Sequence, residues 1–273
     1  MPARWVGYRF MLSRTLPLLV SIVAFFGPQG ALGNQSDQGF TAIGVNVGSY
    51  VTNATRYTRF GTRDFFISGE RSLDLDDEVA SGWIYHRHSF DSNRWLFIHY
   101  TRDHRDARAV VDVSQRVSFI PLTARLDART RLRSDDLELG FGTPLAKAGG
   151  FDFGIQGGMF VNFNQLEISS QHKFVYTDQQ TLTSFPWVGV TAQRNYQNGR
   201  LLIDLSHMPL ELDGRLINYG SMRLMYKHNL SPKMGVGVSY LYRSFNVSYS
   251  SERGRRDYRY QLNAPGIFLS YDW

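Results

Sequence analysis

From residue 41 to the end of the chain, apolar residues recur at every second position in stretches separated by short polar clusters rich in Gly, Asn, Ser and Pro. Such alternation is the pattern of strands, whose side chains point to opposite faces in turn. It predicts strands at about 41–52, 80–90, 93–103, 131–144, 151–167, 184–195, 200–210, 217–229, 234–249 and 258–273. The fifth is the clearest. Phe151, Phe153, Ile155, Met159, Val161 and Phe163 share one face, and Asp152, Gly154, Gln156, Gly158, Asn162 and Asn164 share the other. The ninth sets Val236, Val238, Tyr240 and Tyr242 against Gly235, Gly237, Ser239 and Arg243. The eighth sets Met222, Leu224 and Tyr226 against Ser221, Arg223 and Lys227.

Tight turns are predicted at Asp91-Ser92, Ala146 to Gly150, Gln197-Asn198-Gly199 and Ser231-Pro232-Lys233. Longer polar segments alternate with them, at about 53–78, 102–133, 168–182, 211–216 and 250–257. Short turns at one end, long loops at the other and an even strand count are the rhythm of a membrane barrel with lipid on one face and a polar lumen on the other. The expected fold is therefore all-β, an antiparallel transmembrane β-barrel of about ten strands, with eight and twelve as the neighbouring counts. Residues 109–119 alternate partly and could protrude as a strand pair.

Composition agrees with this reading without requiring it. The mean hydropathy of −0.30 and 42% hydrophobic residues are too polar for a helical bundle in a membrane, yet a strand needs lipid-facing residues only at alternate positions. The 15 Tyr, 19 Phe and 5 Trp would furnish two interfacial belts. There is no cysteine, which excludes disulfides and thiolate metal sites. Residues 1–33 read as a secretory signal: Arg4, Arg9 and Arg14 precede the apolar run Thr15 to Phe26, and Ala31-Leu32-Gly33 has the small-residue pattern of a cleavage site. Export by a Sec-type route would leave the barrel as residues 34–273. Losing those three Arg takes the formal charge from +6 to +3, which gives no indication of nucleic-acid binding.

The last strand, Gly266 to Trp273, places Ile267, Leu269, Tyr271 and Trp273 on one face. It resembles the aromatic terminal strand of small proteobacterial outer-membrane barrels. The segment Tyr226 to Tyr240, with its Leu-Ser-Pro turn, resembles their strand–turn–strand repeat. The resemblance implies a bacterial outer membrane location and names Leu269, Tyr271 and Trp273 as the signal read by the barrel assembly machinery. It implies no catalytic residue.

Candidate chemistry is sparse. A two-residue turn at Asp91-Ser92 would put His86, His88 and His99 on one side with Trp95 and Phe97, a weak candidate for a lumen metal or proton site, and would leave Trp83 and Tyr85 to lipid. Asp74, Asp76, Asp77 and Glu78 form an acidic cluster, but the paired acidic motifs of omptin-like proteases are absent. Ser206 and His207 are adjacent on a strand and so face opposite ways, which excludes a nucleophile–base pair of the kind a lipid A-modifying barrel would use. Arg102, Arg105, Arg108, Arg253, Arg255 and Arg256, with Arg129, Arg131 and Arg133 nearby, are candidates for contact with lipopolysaccharide phosphates. The expected protein is a monomeric, non-enzymatic barrel without cofactors, whose long loops meet lipopolysaccharide or an external ligand. A narrow diffusion pore and an outer-membrane enzyme are the alternatives.

Overall fold

The computed structural model describes residues 39–58, 63–68, 78–90, 94–117, 120–170, 176–212, 215–251 and 254–273. Among them there is no helix. The strands are β1 (Gly39–Thr58), β2 (Arg63–Ser68), β3 (Glu78–Ser89), β4 (Trp95–Val117), β5 (Ile120–Ala148), β6 (Phe151–Ser170), β7 (Tyr176–Tyr196), β8 (Gly199–Leu212), β9 (Arg215–Asn229), β10 (Met234–Ser251) and β11 (Gly254–Asp272). Each of β3 to β11 pairs antiparallel with its sequence neighbour, β1 pairs with β3, and β11 returns to β1 from Phe40 opposite Asp272 to Thr58 opposite Gly254. Ten strands therefore close a barrel. The short β2 is additional: it pairs with β1 at Asn53 to Tyr57, above the part of β1 that pairs with β3. Closure leaves no open strand edge to lipid, which is what a sheet needs in hydrocarbon.

All ten predicted strands are present, and most run further than their apolar stretches. The segment 102–133 is a continuous hairpin, with Val117 opposite Ile120. Polarity marks where a strand leaves lipid, not where its ladder ends. At the short-turn end, Gly149 and Gly150 form a two-residue turn with φ of 59° and 79°, the left-handed values that favour glycine at both positions.

The two faces separate as the alternation requires. Outward positions carry an apolar belt that includes Ile43, Val45, Ile155, Val188, Val238, Ile267 and Leu269, all exposed on the isolated barrel. Inward positions fill the lumen. Near the short turns lie Phe40, Trp95 and Lys227, the last bonded to Asp272 at 2.7 Å. Above them are Tyr85, Phe97, Trp187 and Phe268, and higher still Phe160, Phe185, Tyr219 and Phe245. Inward glycines make room for these rings: a Cβ on Gly142 or Gly154 would collide with the Trp95 indole, and one on Gly237 with Phe268.

One hairpin departs from expectation. The turn between β3 and β4 runs from Phe90 to Arg94, closed by the Phe90 N–H donating to the Arg94 carbonyl at 2.7 Å. Ser89 then faces Trp95, His88 faces Leu96 and Tyr85 faces His99. Relative to a two-residue turn this is a slip of one, and a slip of one turns a strand over. Trp83 and Tyr85 line the lumen, whereas His86 and His88 are on the outer side.

Candidate binding surface and the filled lumen

Charged side chains sit midway up the lumen. Arg223 on β9 pairs with Glu138 on β5 and donates to Asp204 on β8 at 3.0 Å. It also donates to His99 Nδ1 at 2.9 Å, which makes that nitrogen the acceptor. Arg243 on β10 donates to Asp136 at 2.5 Å and lies 3.7 Å from Glu138. The Asn162 amide donates to the other oxygen of Asp136 at 2.6 Å, and Asn164 donates to Asn162 at 2.5 Å. All these groups are buried. Six strands are thus tied across the lumen, with Arg223 over the rings of Tyr85 and Phe97 and Arg243 over Phe160. Buried ions are tolerable only when paired and hydrogen-bonded, and here each guanidinium bridges two carboxylates.

A second group of charges lies on the outer wall of β4, β5 and β6, immediately beyond the apolar belt. Ile98 faces Leu139 and Tyr100 faces Leu137; the next outward pair is Arg102 and Asp135, then His104 and Arg133, then Asp106 and Arg131. Asp135 accepts from the Tyr100 hydroxyl at 2.6 Å and from Arg133 Nε at 2.9 Å, and it forms an ion pair with Arg102, whose Nε is 3.1 Å away. Both arginines approach Asp135 through Nε, with side chains 40% and 37% exposed. One tier further out, Asp106 gathers Arg129 at 3.2 Å, Arg131 at 3.3 Å and His104 at 3.5 Å. Burial alone would raise the Asp106 carboxyl, but Arg129 and His104 outweigh it and hold it below the ordinary carboxylate value.

The chain matches no family model and no curated protein in sequence. Its fold does have solved counterparts. The outer membrane protease OmpT from Escherichia coli matches with a TM-score of 0.59 at 13% identity, over 90% of this chain and 100% of that one. The translocator domain of the autotransporter NalP from Neisseria meningitidis matches with a TM-score of 0.47 at 9% identity, over 96% of this chain and 95% of that one. Ail, the attachment invasion locus protein of Yersinia pestis, gives a TM-score of 0.35 at 9% identity, over 86% and 99% of the two chains. What the likeness to OmpT shows is the fold: a ten-stranded antiparallel barrel of the outer-membrane type.

The predicted site residues are sorted by this geometry. Arg102 stands on the outer wall as required for an external ligand, but Arg105 points inward and is buried with its guanidinium over Tyr50. Arg108 lies in β4 opposite Arg129, and Arg255 and Arg256 lie in β11 opposite Tyr57 and Arg56. Arg253, Asp74, Asp76, Asp77 and the signal segment 1–33 fall outside the described residues, while Glu78 opens β3 opposite Ser49. The three histidines do not converge. His99 faces the lumen, whereas His86 bonds Thr41 at 3.0 Å on the outer side and both His86 and His88 lie against Trp273, with ring centroids 4.9 and 5.9 Å away. Leu269 and Tyr271 face outward on the same side as Trp273. Ser206 is inward and His207 outward, as alternation requires.

Asp135, Asp136, Glu138 and Asp204 were not distinguished by sequence reasoning. Their signal was present: Asp136 and Glu138 share the parity of Gly140 and Gly142 on β5, the glycine-bearing side.

Proposed function

We propose that the protein is a bacterial outer-membrane barrel that neither conducts nor catalyses, and that it binds lipopolysaccharide through the outer wall of β4 to β6. The observation that carries this reading is the pair of half-exposed guanidiniums, Arg102 and Arg133, anchored by one buried carboxylate directly beyond the apolar belt. Lipid phosphates lie at that height, and a guanidinium fork held at Nε keeps two terminal N–H pairs for phosphate oxygens. Arg131 and Arg129 follow two and four residues beyond Arg133 on the same strand, about 7 and 14 Å further along at the usual rise. The filled lumen supports the absence of conduction, with Trp95, Phe97 and Phe160 all buried inside it. Support for a non-enzymatic role comes from the divergence of Ser206 from His207 and from the saturation of Glu138 by arginine.

The test is binding of lipopolysaccharide to detergent-folded protein. Arg102→Gln with Arg133→Gln should weaken association by roughly tenfold or more, the value of a few charge-assisted hydrogen bonds, while the folded gel mobility is unchanged. Unchanged association would overturn the reading. Replacing Arg253, Arg255 and Arg256 by Ser tests whether the end of the β10–β11 hairpin contributes as well.

A further inference from the structure

Taken along the whole lumen, the buried Asp103, Asp136, Glu138 and Asp204 are matched in number by the buried Arg87, Arg105, Arg223 and Arg243. At the short-turn end the match fails. Arg87 faces inward on β3, two residues below Tyr85, and is 8% exposed. Its guanidinium meets the Trp95 ring, 4.3 Å from the centroid, in place of a carboxylate. Its Nη1 has no hydrogen-bond partner among the described residues.

The ladder puts Arg87 opposite Phe40 on β1, and Phe40 opposite Asp272 on β11. Two more cations reach the same ring from the far wall: Arg200 on β8, with Cζ 5.5 Å from the Phe40 centroid, and its ladder partner Lys227 on β9, with Nζ 5.9 Å away. Lys227 donates to both oxygens of Asp272, at 2.7 and 2.5 Å, and Arg200 Nε donates to Asn195 at 3.1 Å. The side chains gathered on Phe40 therefore carry three positive charges and one negative. Beside them lies Ser270, packed with Lys227 over Gly235, whose position a Cβ would close by meeting both side chains. The Ser270 hydroxyl is buried and also lacks a partner among the described residues, as does Trp95 Nε1 beneath Arg87. A guanidinium and an indole N–H only donate, so the group that satisfies them is an acceptor.

We propose that the short-turn end of the lumen binds a phosphate group, free or as the monoester of a small soluble molecule, held by Arg87, Arg200, Lys227 and the Ser270 hydroxyl. A phosphate offers acceptor oxygens and close to two negative charges, which answers both the unmatched donors and the unmatched cations. Arginine takes such oxygens bidentately, and Lys227 keeps a third N–H beyond the two given to Asp272. In outer-membrane barrels the short turns face the periplasm, so the ligand arrives from that side and not from the lipopolysaccharide leaflet.

The site lies at the opposite end of the barrel from the outer wall, and the test separates the two. Detergent-folded protein is titrated calorimetrically with inorganic phosphate at low ionic strength, where screening is least. Saturable binding of one phosphate per barrel is expected, with a rise in melting temperature. Affinity should fall at least tenfold in Arg87→Gln and in Arg200→Gln, the second being a change at the partly exposed rim that leaves the buried layer intact. It should be unchanged in Arg102→Gln with Arg133→Gln, the outer-wall variant. Glycerol 3-phosphate should compete for the site, as a soluble monoester. Absence of saturable binding, native affinity in Arg87→Gln and Arg200→Gln, or loss in the outer-wall variant would each overturn the proposal. Competition by short-chain phosphatidic acid but not by glycerol 3-phosphate would overturn it as well, by making the ligand a lipid headgroup.

Discussion

The middle of the lumen and the outer wall of β4 to β6 are built from the same chemistry, arginine against carboxylate, and the difference between them is water. Arg223 and Arg243 are 5% and 1% exposed at their side chains, whereas Arg102, Arg129, Arg131 and Arg133 are 37–42% exposed. In the lumen the guanidiniums are shared between carboxylates and bind the strands together, although Arg223 Nε and Arg243 Nε and Nη2 have no hydrogen-bond partner among the described residues. On the wall the unshared nitrogens stay hydrated and available to a ligand. Pairing inside serves the fold; exposure outside leaves capacity for recognition.

The sharpest way to break this contrast is to remove Glu138, the carboxylate that Arg223 and Arg243 both approach. Glu138→Gln should destabilise the barrel by about 3–5 kcal/mol, the cost of leaving buried charge uncompensated. Urea unfolding monitored by tryptophan fluorescence reads it, and a loss below about 1 kcal/mol would mean that water reaches this layer. Next in size is overpacking. Gly142→Ala puts a methyl group into the Trp95 indole and should cost about 1–3 kcal/mol, part of which Trp95→Leu should restore in the double variant. On the outer wall, Arg102→Gln with Arg133→Gln should change stability by no more than about 1 kcal/mol while weakening lipopolysaccharide binding. A large loss of stability there would erase the distinction between the two regions.

The smallest effect concerns pH. The folded Asp106 carboxyl is held below its unfolded value, so its contribution is complete above the ordinary carboxylate range and is lost as pH falls through the lower folded value. An NMR titration of that carboxyl should give a midpoint below 3.8. A midpoint at or above 3.8 would mean that Arg129 and His104 do not hold it in solution.

Much of the fold was legible because lipid and lumen impose a strict period of two. Phe151 to Asn164 and Gly235 to Arg243 announce both faces, and Arg223 and Lys227 announce an inside that is polar. The β3–β4 hairpin was not legible. Both faces of β3 carry large polarisable groups, Trp83 and Tyr85 on one and His86 and His88 on the other, so only the length of the Phe90 to Arg94 turn decides which enters the barrel. The long loops misled for a related reason: Asp106, Arg129 and Arg131 are polar because they stand beyond the lipid, while the ladder beneath them continues. The clamp on Asp135 required the register of β4 against β5, since Arg102 and Arg133 are neighbours only once those strands are paired.

That the barrel is closed and works from its surface is tested most directly by single-channel recording of the folded protein in a planar bilayer. The filled lumen predicts a silent trace at all moderate voltages, from protein whose gel mobility shows that it has folded. Discrete current steps from the same preparation would contradict it, and would mean that the arginine–carboxylate layer opens to let ions through.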